Sequence, residues 1–377
     1  MRIKLIIALI SVTLIICDTG YAAPSIDSAT GNFSNGQVIT ISGSNFGIKT
    51  SARPVVWDNF ESGTLSTNIS GKNPIIGPPW TSFSAPTVVS PTYSNDILRK
   101  GSKRSALHNF ENNDNYNISL RLPFAQNQYY FSFWYYYDLT SNTWAGNTKP
   151  WYMYGSGRAT IPEPLVTVGY GDPSIGDGSV RIGASDNNGQ SVDTNISAYG
   201  SPRLENIEGK WIRYEVWLVQ STPDTENGKF YMWTHVSGDS IYLSLSDSQF
   251  CSRKSQDYWN ELRVGGAYNR NTAGHNSRIY IDDMYLDNTP ARVEIGDSSR
   301  WNNCKHREIQ IPTNWANSNI SIILNQGSFE DGSTAYIYVV DLNNNVNFNG
   351  YPIEFGSQKQ GDVIAPAVPT GVTISSP

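Results

Sequence analysis

Residues Ile39–Gly47, ITISGSNFG, decide how this chain is divided. Apolar and polar residues alternate from Ile39 to Ser42, the period of a half-buried strand, and Gly43 to Gly47 supply a turn. Pro24, Ile26, Ser28, Gly31 and Gly36 lead into it as a first strand and hairpin would. Such a start opens a small β-sandwich, which needs roughly seven strands in about 100 residues. From Trp57, however, the texture changes to WDNFESGTLS, and the strands that should complete the sandwich do not follow.

Upstream, Arg2 and Lys4 precede an apolar run from Leu5 to Cys17, and small residues follow at Gly20, Ala22 and Ala23. Charged, apolar and small regions in that order read as a secretory signal peptide over residues 1–23. The run is shorter than the ~20 residues a membrane span needs, and no later run is long enough. The mature chain is therefore expected to be secreted or displayed at the cell surface, with no membrane span. Losing the signal removes Cys17 and leaves Cys251 and Cys304, which an exported chain is expected to join as a disulfide.

The composition favours an all-β protein. Tyr, Trp and Phe number 22, 11 and 13, Gly and Asn are frequent, and long amphipathic helical patterns are missing. The net charge of −6 and the lack of a long basic run argue against a nucleic-acid partner. The histidines, at 108, 235, 275 and 306, are too scattered for a zinc site. No Gly-x-Ser-x-Gly elbow, His-Glu-x-x-His or phosphate loop occurs.

Between Trp57 and Asn288, short alternating runs separated by turn residues predict one large two-sheet jelly roll over residues 57–290. The stretch GKWIRYEVWLVQSTPDTENGKFYMWTHV, Gly209–Val236, carries Gly209, Lys210, Trp211, Glu215, Thr222, Pro223, Asn227, Gly228 and Trp233. Together with RIYIDDMYLD, Arg278–Asp287, it resembles concanavalin A-like domains of the polysaccharide-lyase type.

Beyond Asn288 the small-sandwich texture returns, in Val293–Gly296, Ile309–Pro312, Ile320–Gly327 and Tyr351–Phe355. These segments resemble the back half of an IPT/TIG domain, an immunoglobulin-like module. Pro24, Ile26, Ser28, Gly31, Gly36, Ile39–Ile41, Gly43 and Asn45–Gly47 resemble its front half. The resemblance implies one discontinuous domain, residues 24–56 plus 291–356, interrupted by the jelly roll. Insertion is tolerated where the inserted termini lie close together. The alternative is three serial units. Residues 357–377, rich in Pro, Ala, Val and Gly, read as a linker or tail.

The resemblance to lyases implies candidate chemistry. Arg213, Glu215, His235, Arg263 and Tyr268 fall in the order of the basic and proton-abstracting residues of alginate-lyase-type strands. The plain alternative is a cross-strand ion pair under an aromatic lid on a sheet face. The paired carboxylates of a retaining glycosidase do not occur on one strand face. WDNFESG and IDDMYLD resemble the paired edges of carbohydrate-binding jelly rolls, which implies a structural Ca²⁺ held by Asp58, Glu61 and Asp283.

Aromatic residues give a second route to function. Either the odd or the even set in YYFSFWYYYDL, Tyr129–Leu139, must point away from the core. Trp134, Tyr136, Trp144, Trp151, Tyr154 and Arg158 are the candidate ligand-binding residues. The expected function is non-catalytic, binding polysaccharide or another surface partner through the jelly roll. The alternatives are a lyase acting on uronate-rich glycans and a structural spacer in a surface assembly.

Overall fold

The computed structural model describes residues 22–82, 90–109, 118–139, 150–155, 165–170, 180–185, 191–193, 207–253, 258–265 and 277–359. Within them the alternating runs become antiparallel strands, and a short 3-10 turn covers Trp301–Asn303. Four sheets form two sandwiches.

The larger sandwich packs an eight-stranded sheet on a seven-stranded one. The first is ordered β15 (Ile241–Phe250), β14 (Gly228–Val236), β13 (Trp211–Val219), β8 (Gln128–Leu139), β17 (Ser277–Asp287), β6 (Ser105–Asn109), β5 (Thr92–Ser94), with β3 (Val56–Asp58) beside β17. The second is ordered β12 (Ser191–Asp193), β11 (Val180–Ser185), β10 (Leu165–Tyr170), β9 (Trp151–Gly155), β16 (Trp259–Val264), β7 (Ile118–Gln126), β4 (Thr81–Ser82). Side chains alternate across a strand, so each strand gives one set to the space between the sheets. Ile212, Tyr214, Val216 and Leu218 of β13 meet Trp151 and Met153 of β9 and Leu262 and Val264 of β16 in one core. From β8 the odd set fills that core: Tyr129, Phe131, Phe133, Tyr135 and Tyr137.

The smaller sandwich is built from both ends of the described chain. Its five-stranded sheet is ordered β20 (Ile311–Ala316), β21 (Asn319–Ile323), β2 (Val38–Ser44), β1 (Ser25–Asn32), β24 (Gln358–Lys359). Its four-stranded sheet is ordered β19 (Arg307–Ile309), β18 (Arg292–Gly296), β22 (Thr334–Val340), β23 (Tyr351–Glu354). In β2, Ile39 pairs with Ile322 and Ile41 with Ile320 of β21. These four isoleucines pack with Ala29, Val293, Ile295, Ile337 and Val339 in a second core.

Strand β17 carries one local irregularity. The register of β17 against β8 shifts between Asp282 and Tyr285, and Asp283 takes φ 45°. A bulge of this kind re-aims side chains. Asp282 and Asp283, which strict alternation would send to opposite faces, both reach Arg99, at 3.9 and 2.6 Å.

The expected disulfide is absent. Cys251 and Cys304 are free and buried in different sandwiches. Cys251 lies just beyond β15, and its Sγ contacts the Arg253 carbonyl. Cys304 packs beside Gly296 and donates toward the Ser298 and Arg300 carbonyls.

Candidate functional site

The two outer faces of the large sandwich differ. That of the eight-stranded sheet is covered, because the small sandwich lays β18 and β19 against it. Trp57, Tyr130, Trp217 and Tyr285 pack there against Ile309 and Ile311. Beside this apolar strip, Arg213, Glu215 and His235 meet Arg292, Glu294 and Arg307. Arg213 Nη1 donates to Glu294 Oε2 at 3.0 Å and to the Arg307 carbonyl at 3.1 Å. Glu215 Oε1 lies 2.7 Å from His235 Nε2 and 3.2 Å from Arg307 Nη2. Burial alone would raise the Glu215 carboxyl, but Arg307, Arg213 and His235 outweigh it and hold it well below the usual range. Burial lowers His235 to about 4, so the imidazole is neutral near pH 7.

The residues that the lyase resemblance implies are divided between the two sheets. Arg213, Glu215 and His235 do come together, but they are at most 1% exposed and engaged by the small sandwich. Arg263 lies on the other sheet, and Tyr268 falls outside the described residues. The even set of β8 shares the covered face. Trp134 lies 4.5 Å from the Arg99 guanidinium and stacks with the His306 ring at 5.6 Å. Tyr136 is half-buried against Trp211 and Tyr280.

The residues proposed for calcium do not fit it. Among the described residues no group of three or more metal-ligating side chains occurs. Asp58 accepts from Trp80 Nε1 at 2.7 Å and from the Phe60 N–H at 3.0 Å. Glu61 Oε1 accepts from the N–H groups of Lys103 and Arg104. Asp283 is paired with Arg99, which also bonds Glu308 at 2.8 Å. Arg99 supplies the positive charge to this acidic pocket, and N–H donors already occupy the other two carboxylates.

The outer face of the seven-stranded sheet remains. Trp151 and Met153 of β9 turn into the core, so Tyr152 and Tyr154 turn outward. Their rings stack at 5.4 Å with 20° between planes. Across the ladder, Arg263 pairs with Tyr152 and Glu261 with Tyr154. The Arg263 guanidinium lies 4.4 Å over the Tyr154 ring and donates from Nε to Glu261 Oε1 at 2.5 Å. Tyr152 and Arg263 are buried, while Tyr154 and Glu261 are partly exposed.

Register extends the row in both directions. On β7, Arg121 stands opposite Glu261 and Ser119 opposite Arg263. On β10, Thr167 stands opposite Tyr152, and on β11 Gly183 stands opposite Thr167. Arg181, two positions along from Gly183, pairs with Gly169. Arg121 and Arg181 thus hold register positions in line with Arg263 and Glu261, in a chain whose net charge is −6. Burial pushes the Tyr152 hydroxyl far above its ordinary range, reinforced by Tyr154 and opposed by Arg263. The hydroxyl therefore stays protonated and can donate a hydrogen bond, but it is poorly poised as a base.

Of the sequence candidates, Tyr154 and Arg263 meet here, Trp151 lies beneath them in the core, and Trp144 and Arg158 fall outside the described residues. Glu261, Arg121 and Arg181 were missed. The available signal was the alternation in Trp151–Gly155 and Trp259–Val264, which separates an apolar inward set from a polar outward one.

No protein-family model matches this chain, and no curated protein matches it. Among solved structures, the chain is similar to an endo-β-1,4-glucuronan lyase from Trichoderma reesei, at 10% identity and TM-score 0.42 over 63% of this chain and 96% of that one. It is similar to the PL-14 alginate lyase from Aplysia kurodai, at 10% identity and TM-score 0.41 over 52% of this chain and 86% of that one. It is also similar to a GH131 β-glucanase catalytic domain from Podospora anserina, at 14% identity and TM-score 0.37 over 62% and 95%.

Proposed function

We propose that this chain binds an acidic polysaccharide across the outer face of its seven-stranded sheet, without catalysis. The observation that carries the reading is the row of Tyr152, Tyr154 and Arg263, flanked at register positions by Arg121 and Arg181. Tyr rings offer apolar faces and hydroxyls to sugar rings, and arginine forks match carboxylate or sulfate groups. Arginines at these register positions on an acidic protein would favour anionic chains over neutral ones.

The small sandwich is, in the same proposal, an IPT/TIG-like module whose halves flank the jelly roll. The pairing of β2 with β21 supports that reading. Export through residues 1–23 would place the binding face outside the cell.

Isothermal titration with polyuronate and with neutral glucan tests the function. Polyuronate should bind more tightly, with affinity falling as salt rises. Arg263→Ala should weaken it by ~10-fold, worth about 1.4 kcal/mol. Equal, salt-insensitive binding of both polymers would contradict the acidic preference, and no binding of either would sink the proposal. Release of unsaturated product, read by ultraviolet absorbance, would establish an eliminating enzyme instead.

A further inference from the structure

Lys49 and Asp287 meet where the chain passes between the two sandwiches. Lys49 precedes β3 and Asp287 ends β17, so one stands on the way into the jelly roll and the other on the way out. Lys49 Nζ is 2.5 Å from Asp287 Oδ2, and the two side chains are 1% and 2% exposed. The Tyr285 hydroxyl donates to the same oxygen at 3.1 Å, and the Asn288 N–H donates to Oδ1 at 2.8 Å. The amine also donates to the Ala291 carbonyl at 3.2 Å and sits 5.0 Å over the Trp315 ring.

A dry ion pair of this kind is costly to keep charged. Burial pushes the Asp287 carboxyl above its usual range, against Lys49. To act as a nucleophile the amine must first pass one proton to Oδ2, the acceptor beside it. A desolvated lysine amine is a nucleophile. With Oδ2 at 2.5 Å, the geometry of a carboxyl keeps Cγ within roughly 3.8 Å of the same nitrogen, close to a near-attack separation of ~3–3.5 Å.

We propose that Lys49 and Asp287 condense into an intramolecular amide that clamps the neck of the jelly roll. The amine nitrogen attacks Cγ, the bond from Cγ to Oδ2 breaks, and that oxygen leaves as water. The ammonium starts with three protons and the amide nitrogen keeps one, so the water carries the other two. Charge and atoms balance without an oxidant or any co-reactant. The Tyr285 hydroxyl, already donating to Oδ2, can hold the departing oxygen by its hydrogen bond while the two protons from nitrogen pass to it. The amide would close the chain between positions 49 and 287 covalently, so that unfolding cannot separate the entry from the exit.

Peptide mapping of the full chain by tandem mass spectrometry tests this. The expected product is a branched peptide joining the segments that contain Lys49 and Asp287, lighter than their sum by one water, with no tryptic cleavage after Lys49. Tyr285→Phe should lower its yield. Lys49→Arg keeps the positive charge but lacks the amine and should abolish it. Recovery of the two segments as separate, unmodified peptides from the folded wild type would overturn the proposal. A branched peptide that survives Lys49→Arg would overturn it equally.

Discussion

Asp58 is the buried carboxylate whose titration is easiest to follow. Burial raises it to about 6, against hydrogen bonds from Trp80 and Phe60 and with some help from Asp283. A carboxyl raised in the fold opposes folding once it ionises. Its penalty is absent below about pH 4, grows between 4 and 6, and is complete above 6. Asp58→Asn should therefore stabilise the protein by about 1–3 kcal/mol at pH 8 and by little at pH 4. Denaturant unfolding at both pH values checks this, and a pH-independent difference would contradict it. Arg213 behaves in the opposite way, since it balances buried carboxylates. Arg213→Ala leaves Glu294 and Glu215 short of a partner and should cost about 3–5 kcal/mol. At temperatures where the variant is folded, glycan affinity should be unchanged, because Arg213 lies on the covered sheet. A parallel loss of affinity would return this residue to the binding site. The sequence carried the Arg213, Glu215 and His235 alignment in full. It could not tell whether that face met solvent or the second sandwich.

At the scale of elements, alternation was the reliable signal. It separates Ile212, Tyr214, Val216 and Leu218 from Trp211, Arg213, Glu215 and Trp217 on β13. On β8 it gave two sets without saying which was inward, because both are aromatic. It failed at the β17 bulge, where Asp283 at φ 45° breaks the period and brings Asp282 toward Arg99 beside it. The loop between β5 and β6 locks against the small sandwich in a way that no periodicity records. Gly101 has φ +90°, and a Cβ there would lie 2.2 Å from the Gly327 carbonyl oxygen. Gly101→Ala should cost about 1–3 kcal/mol and displace Arg99 from Asp283 and Glu308. A denaturation midpoint equal to wild type would show that this loop yields freely.

At the scale of the molecule, the seam makes the sandwiches interdependent. Exposing it would uncover Trp57 and Trp217 together with the ion network of Arg213, Glu215, Arg292, Glu294 and Arg307. The chain should accordingly unfold in one calorimetric transition, with calorimetric and van't Hoff enthalpies equal. Two resolved transitions would show that the sandwiches melt separately. Acid should weaken the seam. Glu215, Glu294 and Glu308 are held below their usual range by arginines that outweigh burial. Their contribution is present above about pH 4.5 and is lost as pH falls toward their folded values. His235, lowered to about 4 by burial, adds a loss between pH 6.5 and 4.

The sequence by itself determined the all-β class, the positions of most strands, and the division of each regular strand into two alternating sets. These depend on local alternation and turn chemistry, which neighbouring residues fix. Only the tertiary structure decided that Ile39–Ile41 of the opening stretch pairs with Ile320–Ile322, that the two cysteines stay apart, and that Arg99 fills the acidic pocket. It also decided which outer face is covered and which carries the tyrosines and arginines. The physical reason is that pairing partners and burial of a sheet face depend on segments hundreds of residues away, and strand periodicity holds no record of them.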